Sequence, residues 1–426
     1  MKRHTQNLWR LVWLPALLCV LFQSPLGMWM QPAEVPLERL LRNTEAYIKK
    51  NPNEAQGYYV LGRLHSLAFA RETKTIAAYE DGKRPLPSLP PYESILVQRD
   101  ATKKLTPEAM QHLGEALRNY QRATELAPNE AAAFLGLGWM LETGVKLAEQ
   151  PNTFKQWRDL PQSADQWLER ALAAYRKAYA LTVKQDLANE SAGPTADSQI
   201  SLEAGAGIQR LLRPRGGKLS EREQQELADI RSTIAKLQER PRAVTPIIFS
   251  LTQASTLESL LATGSCARFD LSGDGVPRWW PWLKPETGLL VWDQANNGRV
   301  QSGLQLFGSS TWWIAWQNGY QPLALLDDNH DGWLAGTELR GLAVWRDRNG
   351  NGSADKGEVQ PVRALGIRRI AVQATTKSSG VPANPQGLQM NDGRLLPTYD
   401  WTPTEIKAPA LALAHTGNHS RAYEQK

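Results

Sequence analysis

The sequence predicts an α+β multidomain protein, with an all-α N-terminal half and a mixed α/β C-terminal half. Three observations carry this expectation. From Pro36 to about Gln238, apolar residues recur at spacings of three and four, the period of helices with one buried face. Near 243–265 the composition turns to Gly, Asp, Asn and Trp, and nine of the 16 Trp fall between Trp279 and Trp345. Two acidic, glycine-centred loops then follow closely on one another, at Asp327–Glu338 and Asp347–Glu358. The chain has 426 residues, 42% of them apolar and 22% charged, which is the composition of a globular protein rather than a disordered one. Its net charge is +6. Setting aside Lys2, Arg3 and Arg10 leaves 46 basic against 43 acidic residues, too even a balance to suggest a nucleic-acid partner.

Residues 1–30 follow the plan of a signal peptide or N-terminal anchor. Lys2, Arg3, His4 and Arg10 precede the apolar run Leu11–Phe22, which is short for a membrane-spanning helix. The expected location is extracytoplasmic, either periplasmic or secreted, with membrane contact only through this segment if it stays uncleaved as an inner-membrane anchor. Cys19 lies inside the apolar run. Cys266 is then the one cysteine of a processed chain, so no internal disulfide is expected, and a small core residue is the expected role.

The helical half, 33–242, contains two self-similar stretches. Pro52-Asn53-Glu54-Ala55 leads to Tyr58, Leu61, Gly62 and His65; Pro128-Asn129-Glu130-Ala131 leads to Phe134, Leu137, Gly138 and Leu141. A second pattern places Ala116, Tyr120 and Ala123, then Ala171, Tyr175 and Ala178, on one helical stripe. Glycine lets a partner helix approach closely, and the small–aromatic–small stripe suits such a partner. Together these stretches resemble tetratricopeptide repeats, with long inserts at 71–106 and 143–162. The resemblance implies helical hairpins and a groove for a protein or peptide; the same helices could instead serve as a scaffold for the C-terminal half. Further helices are expected at 198–212 and 220–239, the latter opened by a Ser220/Glu223 capping box.

Residues 243–264 read as a linker or edge strand, 265–402 as the C-terminal domain and 403–426 as a flexible tail. Asp327-Asp328-Asn329-His330-Asp331-Gly332 through Glu338 fits the calcium-loop pattern D-x-[DN]-x-[DN]-G-x5-E in full. Ca²⁺ takes six to eight hard oxygen ligands. Asp327, Asn329, Asp331 and Glu338 would supply side-chain oxygens and Trp333 its carbonyl, with Gly332 at the sharp turn and Leu334 directed to the core. The second loop repeats the set with Asp347, Asn349, Asn351 and Glu358, a carbonyl from Ser353, and Asp355 acting through water. Two incomplete copies precede them. Asp270, Ser272 and Asp274 begin a weaker site whose twelfth position is Pro281. Asp293 begins another that has Ala295 at its third position and Leu304 at its twelfth, and this one reads as a metal-free turn.

The order of these motifs, from Phe269-Asp270-Leu271 through Gln305-Leu306-Phe307-Gly308 to Leu365-Gly366-Ile367, resembles the EF-hand-like calcium domain of RTX-type and iron-regulated exported bacterial proteins. That resemblance implies calcium binding over residues 269–371. Only Leu339 to Arg346 separates the two complete loops, so one short helix or strand must serve both, unlike a calmodulin-type pair. A hairpin with an Asp392-Gly393 turn is expected at 387–401.

The function expected is a calcium-stabilised binding or scaffolding module with Ca²⁺ as its cofactor. The alternative is a carbohydrate-binding protein or hydrolase using Trp279-Trp280-Pro281-Trp282 and Trp312-Trp313…Trp316 as a sugar platform, against the leading expectation that these tryptophans are core with partial exposure. No catalytic residue is assigned. The H-E-x-x-H, G-x-S-x-G and P-loop patterns do not occur, and a non-enzyme is expected. His415 and His419 read as solvated residues of the tail.

Overall fold

The computed structural model describes residues 35–70, 105–149, 153–155, 157, 159–188, 200–238, 244–252, 255–273 and 275–407. The expected N-terminal signal or anchor, Cys19, Asp274, His415 and His419 lie outside them. Helices α1 (Leu37–Lys50), α2 (Ala55–Ala70), α3 (Pro107–Leu126), α4 (Ala131–Ala148), α5 (Ala164–Ala188), α6 (Ile200–Leu212) and α7 (Glu221–Gln238) form the first half. Helix α2 packs on α3, and α4 on α5.

The glycines expected to admit a partner do so. A Cβ at Gly136 would stand 2.3 Å from the ring of Tyr120, and one at Gly138 2.6 Å from that of Tyr175. Gly62 faces Tyr120, and Gly207 faces Tyr175. The second insert is shorter than 143–162. Helix α4 continues to Ala148 because Gly144 receives the Trp167 ring from α5, where a Cβ would meet it at 2.1 Å. The capping box forms: Ser220 N–H donates to Glu223 Oε2 at 2.9 Å and Glu223 N–H to Ser220 Oγ at 3.3 Å. Among the described residues, no helix is long and apolar enough to cross a membrane.

The second half is built on strands β1 (Ile247–Ser250), β2 (Leu261–Phe269), β3 (Arg278–Leu283), β4 (Thr287–Trp292), β5 (Trp333–Ala335), β6 (Leu342–Trp345), β7 (Val359–Pro361), β8 (Ile367–Ala371), β9 (Thr376–Ser378), β10 (Val381–Met390) and β11 (Leu395–Asp400), with short helices α8 (Leu257–Leu260) and α9 (Tyr320–Ala324). Nine strands form one antiparallel sheet in the order β5-β8-β10-β11-β1-β4-β6-β7, with β9 beside β10. Strands β2 and β3 form a separate pair.

The expected linker or edge strand at 243–264 is corrected here. Strand β1 lies inside the sheet, between β11 and β4, and every residue of it is buried. Its short apolar run is the pattern of a strand covered on both faces. Alternation sorts the faces. Ile247, Phe249, Leu290, Trp292 and Val344 join one cluster that continues through the helical half to Leu40. Ile248, Leu289, Val291 and Trp345 join a second, under β2–β3 with Trp280 and Trp282. The helical half is thus docked on the sheet. Arg63 of α2, fully buried, donates from Nε to Trp313 O at 2.7 Å and lies over the Trp139 ring.

The β10–β11 hairpin has its Asp-Gly turn, with Gly393 at φ 89°. The expected tail is tied down through Lys407: Ile406 N–H donates to Trp279 O at 2.9 Å. Cys266 is free and half-buried.

Candidate metal centre

Four loops in the C-terminal half share one backbone design. In each, the first-position aspartate accepts the N–H of the sixth residue, always glycine. Gly275 donates to Asp270 Oδ2 at 2.9 Å, Gly298 to Asp293 Oδ2 at 2.9 Å, Gly332 to Asp327 Oδ2 at 2.9 Å and Gly352 to Asp347 Oδ2 at 2.7 Å. These glycines have φ of 79°, 70°, 86° and 74°. The fourth position is left-handed too, at Gly273, Asn296, His330 and Gly350. A left-handed residue costs little for Gly, and Asn and His adopt it more readily than other side chains, so the four residues found there suit the turn. The sequence patterns fixed the sixth position; they did not reveal the fourth.

In the first complete loop, Asp331 N–H donates to Asn329 Oδ1 at 2.8 Å and Trp333 N–H to Asp331 Oδ1 at 2.8 Å. Glu338 closes the loop: its Oε1 accepts from Asp328 N–H at 2.9 Å and its Oε2 from Ala335 N–H at 2.9 Å. The second loop repeats the design. Asn351 N–H donates to Asn349 Oδ1 at 3.1 Å and Ser353 N–H to Asn351 Oδ1 at 2.7 Å. Glu358 accepts from Arg348 N–H at 2.8 Å and Asp355 N–H at 3.1 Å. Asp355 draws in both asparagines, accepting from Asn349 Nδ2 at 2.8 Å and Asn351 Nδ2 at 2.9 Å. Leu334 is fully buried, as expected, and strand β6 rather than a helix serves both loops.

The four anchoring carboxylates are buried: Asp327 is 4% exposed, Glu338 5%, Asp347 4% and Glu358 5%. None of them pairs with a described Lys, Arg or His. Burial pushes the Asp347 carboxyl above its usual range, opposed by the Gly352 N–H and the Trp282 indole. Buried carboxylates without a counter-charge are costly. A hard dication offsets that cost, and the expected ligand positions offer carboxylate, amide and carbonyl oxygens. The donor chemistry therefore fits calcium. Among the described residues, no three His, Cys, Asp or Glu side chains converge as a metal-binding group; the two glutamates are turned onto backbone N–H groups.

The incomplete loops use other partners. In the first, Arg278 Nη1 donates to Ser272 Oγ at 2.8 Å, so a guanidinium stands at the third-position hydroxyl. In the second, Gln305 Oε1 accepts from Gln301 N–H at 2.8 Å, much as Glu338 accepts from Ala335. The two interlock, Gly303 N–H donating to Asp270 O at 2.7 Å.

Sequence reasoning missed the side chains that hold the loops from outside. Trp282 Nε1–H donates to Asp347 Oδ2 at 2.6 Å. From α1, Arg39, Arg42 and Asn43 all reach Asp328. These partners are far apart in the chain, and no local pattern marks them. The tryptophans follow the leading expectation and overturn the alternative. Trp280, Trp282, Trp292, Trp312, Trp313, Trp316 and Trp345 are buried, so they form core rather than a sugar platform; Trp279 is half-buried. Half-buried Trp333 lies under the Arg369 guanidinium, at 4.0 Å.

The SPM domain family matches residues 254–393, a span that takes in all four loops. The chain is also similar to the iron-regulated protein FrpA of Neisseria meningitidis serogroup C, at 32% identity over 176 residues. That similarity covers 39% of this chain and 15% of the relative, so the chain spans a small part of the length of the curated protein it matches.

Proposed function

We propose that the protein is an exported calcium-binding protein whose helical half is docked on, and steadies, a sheet carrying two calcium loops. One observation carries the reading. Asp327, Glu338, Asp347 and Glu358 are buried, without a described cationic partner, in two loops of the same design. Asp327, Asn329, Asp331, Glu338 and the Trp333 carbonyl would hold one ion. Asp347, Asn349, Asn351, Glu358 and the Ser353 carbonyl would hold the other, with Asp355 behind the two asparagines. Bound calcium supplies the positive charge these carboxylates lack and couples the fold to metal. Asp270 and Ser272 belong to a weaker site at most, with Arg278 beside them.

The role is binding or scaffolding rather than catalysis. The helical half carries tetratricopeptide-like pairs, and a protein or peptide partner would meet it on surfaces that α1 and α2 leave uncovered. The charge-then-apolar order of residues 1–30 supports an extracytoplasmic location, where sites of this class bind at about 10⁻⁴–10⁻³ M.

The test is thermal unfolding with and without millimolar calcium. Ligand that binds only the folded state raises the midpoint. The reading expects a rise with Ca²⁺ that is larger than with Mg²⁺ and reversed by chelator. An unchanged midpoint over that range contradicts it.

A further inference from the structure

The two complete loops differ in their contact with the helical half. In both, the second residue donates its backbone N–H to the closing glutamate: Asp328 to Glu338 at 2.9 Å and Arg348 to Glu358 at 2.8 Å. Only Asp328 is also bound by the helical half. Its Oδ1 accepts from Arg39 Nε at 2.9 Å, Asn43 Nδ2 at 2.8 Å and Arg42 Nη2 at 3.2 Å.

The same helix binds the chain just before the loop. Asn43 Nδ2 donates to Leu325 O at 2.9 Å, and Arg39 Nη2 donates to Leu326 O. These carbonyls follow the last turn of α9 and would otherwise lack helical partners. Helix α1 is seated by Leu37 and Leu40, both buried, and Asn43 is buried as well. Among the described residues, Arg348 makes no hydrogen bond to the helical half.

We propose that α1 sets the calcium affinity of the loop at 327–338, and that calcium in that loop in turn holds α1 on the sheet. The proposal rests on the calcium reading above. Its basis is positional. Asp328 joins α1 to Glu338, so holding Asp328 and the Leu325–Leu326 carbonyls in place pre-forms the loop before the ion arrives, and pre-forming a site lowers the ordering cost of binding. Coupling of this kind is reciprocal. The loop at 347–358 lacks the link and is its internal control.

The test uses the full chain with one loop disabled at a time. Asn43→Ala removes both Asn43 bonds without changing charge. In an Asp347→Ala background, where only the loop at 327–338 remains, it should weaken calcium binding about fivefold or more; in an Asp327→Ala background binding should stay within about twofold. A second measurement needs no change in α1. Amide exchange in α1 should slow when calcium is added, keep that response in Asp347→Ala, and lose it in Asp327→Ala. If both loops bind calcium but α1 exchange does not respond, or Asn43→Ala weakens both loops alike, the proposal is overturned. If neither loop binds calcium, the calcium reading fails and the proposal falls with it.

Discussion

The indole N–H of Trp282 points at Oδ2 of Asp347, 2.6 Å away, from a strand that is not part of the large sheet. This joins the β2–β3 pair to the first-position aspartate of the second loop. Trp282 also packs against Trp345, which leads into that loop, with ring centroids 5.9 Å apart. Trp282→Phe keeps most of the ring packing and removes the donor. It should cost about 1–3 kcal/mol, because a buried carboxylate loses a partner. Chemical denaturation of the two proteins without calcium measures the difference. Calcium should narrow it if the ion takes over the charge.

Two glycines on neighbouring helices should respond in opposite directions. Gly136→Ala drives a methyl into the Tyr120 ring, which stands 2.3 Å from the added Cβ. About 1–3 kcal/mol of stability should be lost. Gly114→Ala meets nothing nearer than 3.6 Å, at the end of the Arg118 side chain. There the helix interior gains, by about 0.5–1 kcal/mol. Urea midpoints of the two variants check both signs.

Asp400 is fully buried at the end of β11, where its Oδ1 accepts from Gly319 N–H at 2.9 Å. Burial pushes its carboxyl from 3.8 up to about 7. The folded state therefore holds this proton more tightly than the unfolded chain. Its contribution is full below about pH 4 and is lost as pH rises to about 7, with a slope near 1.4 kcal/mol per pH unit at most. Asp400→Asn keeps the acceptor and abolishes the titration. Relative to the parent, it should gain stability steadily from pH 4 to pH 7 and hold the gain above. A difference that stays flat over that range would refute the assignment.

His65 has the opposite sign. Its Nδ1 lies 2.9 Å from His112 Nδ1, between α2 and α3. Burial, then the charge of His112, lowers its pKa from 6.5 to about 4. The unfolded chain takes up the proton first, so stability is lost as pH falls from 6.5 to 4. His65→Gln should lose less over that interval than the parent, as read from unfolding at fixed urea steps.

Much of the C-terminal half was legible because its rules are local. A loop aspartate, a sixth-position glycine and a closing glutamate lie within twelve residues, and even the incomplete copies at Asp270 and Asp293 adopt the backbone turn. The Asp392-Gly393 hairpin and the Ser220 cap are local in the same sense. What sequence spacing did not show was long-range. Strand β1 reads as a linker or edge strand until β11 and β4, distant in the chain, enclose it. The tryptophans read as core with some exposure, but which of them the β2–β3 pair and the helices cover depends on distant partners. The α1 clamp on Asp328 joins residues 285 positions apart, and no periodicity encodes such a contact.

The central claim is that two loops of shared design hold calcium. The most direct test is a calorimetric titration of the full chain, stripped of metal, with Ca²⁺ and then Mg²⁺, beside Asp327→Ala/Asp347→Ala. The account predicts saturable calcium binding in the parent that the double variant loses. A folded, metal-free parent that takes up no calcium would contradict it, and the loops would then be turns closed by their own backbone N–H groups.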